Sequence, residues 1–249
     1  MPIFGTLDVA PLLEAAPRMS GLDAEPWETP GVEILQLLYE IDDREMAALL
    51  PRALHPTIPP VVTFVVSRYP DSPFGAFTIA QVRAGCRAGT RPRGYLLRAY
   101  CDSQRACDEL AARWGFDCRR GEVRLQRYHD RIVASVTADT EILRAALVDP
   151  EPIAGGDIQY VASMHLARLA SEGDRGILVQ VDPEFRILRA ERGRPDLATF
   201  ARDAWGAAAV EPVYPVIASF AVCDTGLPRI RYLLDPDQPA YTGTRQVAG

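Results

Sequence analysis

The sequence predicts an α+β fold dominated by antiparallel sheet. Two observations predict it. Stretches rich in β-branched and aromatic residues recur along the 249 residues, and only a few segments combine helical spacing with capping residues. A hydrophobic content of 48% beside 24% charged residues is ordinary for a soluble chain, so a sizeable core can form. The length suits one large domain or two small ones.

Residues 1–30 are rich in Pro, Ala and acidic groups and show no clear period. They are expected to form an arm that wraps a neighbour or the domain's own surface, ahead of a domain over 31–240 and a tail over 241–249. Val32 to Ile41 is a mostly apolar run and reads as a buried strand. Asp42 is the N-cap of a short helix, with Asp43 and Glu45 in its first turn, where the helix dipole favours acids. Met46, Leu49 and Leu50 are its apolar stripe, and Pro51 ends it. Val61 to Tyr69 reads as a strand, followed by the turn signal Pro70-Asp71-Ser72-Pro73. Phe77 to Cys86 and Gly94 to Cys101 form a strand pair across a polar loop. Asp102 or Ser103 caps the next helix, Gln104 to Trp114, whose apolar positions Ala106, Cys107, Leu110, Ala111 and Trp114 follow helical spacing. Gly115 stops it by permitting a left-handed turn.

Glu122 to Tyr128 and Arg131 to Ala138 then form a hairpin turning at His129-Asp130. Glu141 to Leu147 reads as a short helix. Ile158 to Leu169, Gly176 to Val181, Phe185 to Ala190, Tyr214 to Cys223 and Ile230 to Leu234 read as further strands. There is no internal repeat and no low-complexity tract.

Composition excludes several functions. A net charge of −6 argues against nucleic-acid binding through overall basicity. No run reaches the length of a membrane span, and the first ten residues lack the basic start and apolar stretch of a signal peptide, so a cytoplasmic location is expected. The five cysteines match no zinc spacing, and His55, His129 and His165 form no ligand pattern. Neither a Gly-rich phosphate loop nor a G-x-S-x-G turn is present, and no cofactor or metal is expected. All 27 basic residues are arginine. Without lysine, no side chain can form an imine with a carbonyl substrate, because arginine is too basic to act as an amine nucleophile.

Several segments, in order, resemble the acetoacetate decarboxylase family. Leu38-Tyr39-Glu40-Ile41-Asp42 and Ala47 to Pro51 are similar to its first strand and following helix. Tyr69-Pro70-Asp71-Ser72-Pro73-Phe74-Gly75 is similar to the turn before the strand that normally carries a catalytic glutamate. Gly94-Tyr95 through Tyr100-Cys101-Asp102-Ser103 resembles the strand leading into the active-site helix. Arg113-Trp114-Gly115-Phe116-Asp117-Cys118-Arg119 stands where the family has its Gly-aromatic-Pro-Lys-Lys motif, and Ala204-Trp205-Gly206 resembles a late Trp-Gly segment. The resemblance implies a curved antiparallel sheet, closed or nearly so, around a small-molecule pocket, with flanking helices and a homo-oligomeric state.

It also implies where the family's chemistry is missing. The imine lysine becomes Cys118 and its lysine neighbour Arg119. The family's strand arginine falls near Val32, and its two pocket acids near Phe64 and Ile79. Cys118 reads either as a thiolate nucleophile favoured by Arg119 and Arg120, or as a small, buried, inert side chain. Arg119 can pair with a substrate carboxylate or simply be solvated. Arg98, placed by alternation on one strand face with Leu96 and Tyr100, needs a partner or a ligand. Tyr100 offers a phenol or is core. Gln81, on the strand face of Ile79, can orient a carbonyl or sit at the sheet edge. The function expected is a divergent enzyme acting on a carbonyl-containing or polyketide-like small molecule without a lysine imine. The alternative is a non-catalytic protein that kept the cavity.

Overall fold

One long, curved sheet organises the chain, as seen in a computed structural model that describes residues 4–247. The first three and last two positions of the expected arm and tail lie outside the described residues. In chain order the strands are β1 (Arg18–Met19), β2 (Trp27–Glu40), β3 (His55–Pro56), β4 (Val61–Tyr69), β5 (Phe77–Ala88) and β6 (Arg91–Cys101). Then come β7 (Cys118–Arg120), β8 (Glu122–Arg127), β9 (Arg131–Thr137), β10 (Glu141–Ile153) and β11 (Ala162–Leu169). The last are β12 (Arg175–Val181), β13 (Phe185–Phe200), β14 (Tyr214–Leu227), β15 (Tyr232–Leu234) and β16 (Thr244–Gln246). Three α-helices accompany them among the described residues: α1 (Asp43–Leu49), α2 (Gln104–Trp114) and α3 (Ala240–Gly243).

The sheet runs β16-β15-β12-β11-β6-β5-β4-β2-β14-β13-β10-β9-β8. Neighbours along it are antiparallel except β11 and β6, and β7 adds to β6 in parallel. β16 and β8 end the path without pairing to each other, so the sheet is the expected curved one and is not closed. No helix among the described residues is long and apolar enough to cross a membrane.

Strand alternation sends side chains to two cores. Leu35, Leu37, Phe64, Val66, Ala80 and Val82 enter one, which β8–β10 and Trp205 complete. Phe77, Ile79, Leu96, Ala99 and Cys101 enter the other, against α2 and the inner faces of β11 and β12. Both longer helices start as expected. The Asp42 carboxylate accepts from the Arg44 N–H at 2.8 Å, and the Ser103 hydroxyl oxygen accepts from the Ala106 N–H at 3.3 Å. Asp102 instead accepts the Thr78 N–H at 2.7 Å, which leaves the cap of α2 to Ser103.

Residues 141–147 are not a helix. They belong to β10, held between β9 and β13. The register shifts between Glu141 and Leu143 and between Arg144 and Ala145. These irregularities break the two-residue alternation, so Ile142, Leu143, Ala145, Ala146 and Leu147 are all buried and the run resembles a helical stripe. β2 starts earlier than Val32, passing through Pro30-Gly31. Gly31 has φ +72°, opposite the register shift between Cys223 and Thr225, and its N–H is donated to Asp224 Oδ1 at 3.1 Å.

Candidate functional site: a polar cavity inside the sheet

On the helix side of the sheet, β2, β4 and β5 present Gln36, Ser67, Gln81 and Arg83 toward the Ser163 end of β11. They enclose a cavity of about 40 Å³ whose other walls include Tyr69, Phe116, Tyr160 and Phe185. Such a volume accommodates a water or two. An open cleft of about 1090 Å³ lies outside it and shares Tyr160, Val161, Pro183 and Phe185 with it. The Tyr160 and Phe185 rings, 4.9 Å apart, separate the two spaces.

Arg83 is the charge in this cavity. Its Nε and Nη2 donate to Gln81 Oε1 at 3.0 and 2.6 Å, and Nη1 donates to the Val161 carbonyl at 3.4 Å. No carboxylate among the described residues pairs with it. Burial pushes its pKa down to about 10, opposed by the nearby Tyr69 phenol. A largely enclosed cation held only by neutral oxygens is costly, and an anion in the cavity would relieve that cost.

Ser163 and His165 sit two residues apart on β11, on one face. His165 is fully buried. Its Nδ1 lies 2.8 Å from the Trp114 carbonyl, and its Nε2 2.8 Å from Ser163 Oγ. A carbonyl can only accept, so Nδ1 carries the proton and Nε2 accepts from the Ser163 hydroxyl. The ring also meets Phe116 edge-on, 4.1 Å between centroids. Burial pushes the imidazole pKa down to about 3, with the Arg83 charge adding to the effect. A hydroxyl that donates to an oriented imidazole is the arrangement of a nucleophile or proton shuttle.

The residues singled out from the sequence are not brought together. Gln81 lines the cavity. Val32 is buried in a small cluster with Ile34, Val65 and Cys223 on the same side. Ile79 packs into the helix-side core. Phe64 points to the opposite core, its ring 6.0 Å from Tyr39 and 4.9 Å from Phe200, and the next residue, Val65, faces the cavity. A one-residue slip along a strand reverses the face. Arg98 and Tyr100 serve a structural turn: Arg98 Nη1 and the Tyr100 hydroxyl both donate to the Ala204 carbonyl, at 3.0 and 2.9 Å. Leu96 does not share their face. A bulge places Arg98 opposite Val82 and Leu96 opposite Arg83, leaving Leu97 as the extra residue. Arg98 also pairs with Asp117 at 3.2 Å, beside a mainly apolar cavity of about 190 Å³ under the N-terminal arm. Because that cation is already neutralised, the arm cavity lacks the unmet charge of the inner one. Arg119 is exposed, and Cys118 lies under α2 against Cys107 and not among the cavity residues.

Arg83, Ser163 and His165 were not identified from the sequence. Two signals were available: a charge alternating with Gln81 and Ile79 on an otherwise apolar strand, and the Ser-x-His spacing within β11.

A curved antiparallel sheet with few helices is the acetoacetate decarboxylase-like fold. The chain belongs to the acetoacetate decarboxylase (ADC) family, whose profile matches residues 13–160. It is similar to acetoacetate decarboxylase from Legionella pneumophila, with a TM-score of 0.74 and 19% identity over 83% of this chain and 86% of that one. It is also similar to the enduracididine biosynthesis enzyme MppR, with a TM-score of 0.70 and 17% identity over 87% of this chain and 90% of that one. An acetoacetate decarboxylase-like enzyme from Sphingomonas wittichii RW1 matches with a TM-score of 0.60 and 16% identity, over 84% and 96% of the two chains. No curated protein matches the chain.

Proposed function

We propose that this chain is a divergent enzyme that acts without an imine on a carbonyl-containing or polyketide-like small molecule bearing a carboxylate, as a lyase, cyclase or isomerase. The observation that carries the reading is Arg83, an enclosed guanidinium with no acid partner, beside a hydrogen-bonded Ser163–His165 pair. The relative MppR has been solved in complex with pyruvate, a small keto acid, which supports the substrate class. With the Tyr160 and Phe185 rings displaced, a carboxylate reaching in from the outer cleft, the rest of the molecule remaining in that cleft, would meet Arg83 in a charge-assisted pair. The Gln81 carbonyl oxygen is committed to Arg83, so its amide N–H groups are the donors left for a substrate carbonyl. Ser163 would exchange a proton with substrate and pass its own to His165 Nε2. The bound anion would offset the Arg83 charge and raise the basicity of His165 when substrate is present.

Two measurements test this. Calorimetric titration with pyruvate and acetoacetate should give saturable binding that Arg83→Gln weakens by about 10- to 100-fold, the range of a lost charge-assisted hydrogen bond. Equal affinity in the variant would refute the role of Arg83. Cyanoborohydride added to the same mixtures should leave the N-terminal peptide, whose amine is the primary amine left in a lysine-free chain, unmodified, whereas a reduced adduct there would refute an imine-free site.

One observation favours the alternative of a non-catalytic binding protein. An imidazole held near 3 is a weak base at neutral pH. Unchanged ligand recovered after saturable binding, across a panel of keto acids and longer polyketone acids, would decide for it. Ser163→Ala would then leave binding intact. For the enzyme, the same substitution lowers turnover by a factor of about 100 or more.

A further inference from the structure

Three of the five cysteines converge beneath α2. Cys118 Sγ donates to Cys107 Sγ at 3.3 Å, and the Cys101 thiol joins the same hydrogen-bonded group. They come from three elements. Cys101 ends β6, Cys107 lies in the first turns of α2 and Cys118 opens β7 beside Ala99 of β6. All five cysteines are free, and only Cys118 is partly exposed. Among the described residues no cluster of His, Cys, Asp and Glu has the arrangement to hold a metal ion.

We infer that Cys107 and Cys118 form a thiol pair that a peroxide oxidises reversibly to an intramolecular disulfide, with Cys118 as the sulfur that meets the oxidant. Disulfide formation requires closing the 3.3 Å gap to about 2.0 Å. The positions favour a thiolate. Hydrogen bonds from Cys101 and Cys118 hold the Cys107 thiol well below its ordinary range, with Arg120 assisting; the contact with Cys107 and burial push Cys101 up to about 12, and contacts with Cys101 and Cys107 raise Cys118 as well. The thiolate therefore rests on Cys107, and Cys118 holds the proton it donates to that sulfur across 3.3 Å. Cys118 passes its proton to the Cys107 thiolate along their hydrogen bond as its sulfur attacks one peroxide oxygen. The O–O bond breaks, hydroxide leaves and Cys118 becomes a sulfenic acid. The Cys107 sulfur then attacks Cys118 sulfur, the S–O bond breaks and the thiol proton leaves with hydroxide as water. Two thiols are oxidised by two electrons and one peroxide is reduced to two waters. A dithiol reverses the bond by exchange.

The loop so closed carries Trp114, whose carbonyl orients His165, and Phe116, which walls the inner cavity. The inference does not depend on the proposed reaction.

The test uses the full-length protein and hydrogen peroxide. Titratable thiols in the unfolded, alkylator-quenched sample should fall from five to three, and the mass should drop by two hydrogens. Peptide mapping should join Cys107 to Cys118, and a dithiol should restore all five. Cys101→Ser should keep the link. Cys107→Ser should instead leave a Cys118 sulfenic acid that dimedone traps. Five thiols after treatment, a bridge through Cys101 or Cys86, or over-oxidation of Cys118 without a bridge would each overturn the assignment. The wild-type map decides alone if a variant does not fold.

Discussion

His165 donates its Nδ1–H to the Trp114 carbonyl and accepts a hydrogen bond from the Ser163 hydroxyl at Nε2, with no solvent contact. This has a consequence for stability. In the unfolded chain the imidazole titrates at 6.5, and in the fold burial lowers that to about 3. Between these values the unfolded state binds a proton that the native state does not. The contribution is therefore fully present above pH 6.5 and is lost as pH falls toward 3, with a slope reaching about 1.4 kcal/mol per pH unit. Urea unfolding at pH 7.0, 5.5 and 4.5 should show this loss, and His165→Gln should remove that part of the slope while lowering stability at pH 7. Parallel pH profiles for the two proteins would contradict the burial of a neutral ring. At this scale the sequence was only partly legible. Two-residue alternation put Gln81 on the face of Ile79, and that face of β5 is where the cavity lies. A position given only as near Phe64 leaves the strand face open, because one residue decides it: Val65 faces the cavity and Phe64 the opposite core. Arg83 looked like one of 27 arginines until the fold removed every acid from its reach.

At the scale of elements, legibility followed the strength of local signals. Asp42, Ser103 and Gly115 each act through contacts within a few residues of themselves, so α1 and α2 could be read with their ends. β10 and the start of β2 could not. Their shapes are set by bulges whose cause lies in partner strands distant in sequence, and Glu141 to Leu147 carries good helix formers that the sheet overrides. Gly115 offers a test of a signal that is both local and tertiary. It has φ +69°, and an added Cβ would come within 2.9 Å of Ala167 Cβ and 3.2 Å of Met19 Sδ. Gly173 has a nearly equal φ of +68° but faces open space. Gly173→Ala should therefore cost only the left-handed conformation, about 1–2 kcal/mol. Gly115→Ala should cost that and the crowding of β11 and the arm, about 1–3 kcal/mol more. Equal losses in denaturant unfolding would mean that the helix end and the arm are not in firm contact.

The whole molecule depends on how its first residues close over the sheet. Gly5, Thr6 and Leu7 donate their N–H groups to carbonyls of Leu54, Ala47 and Leu50, at 2.9, 2.8 and 2.9 Å. β1 adds in parallel to β11, the Arg168 N–H donates to the Pro17 carbonyl at 2.8 Å, and Met19 is fully buried beside Gly115. The sequence left two destinations for this arm, a neighbouring subunit or its own domain, and within the chain the second is what these bonds describe. Removing residues 1–22 would delete the buried Val9, Ala16 and Met19 and bare the surfaces they cover, with a loss of roughly 4 kcal/mol from apolar burial alone, a large part of a typical domain's net stability. The exposed Arg18–Asp174 ion pair adds little to that. The shortened protein should unfold at markedly lower urea, with a loss nearly independent of salt and an unchanged assembly size in sedimentation. Met19→Ala alone should reproduce about half of the loss. A shortened protein that keeps its unfolding midpoint but changes assembly size would instead make the arm an oligomerisation device, and its contacts with Leu50 and β11 incidental to stability.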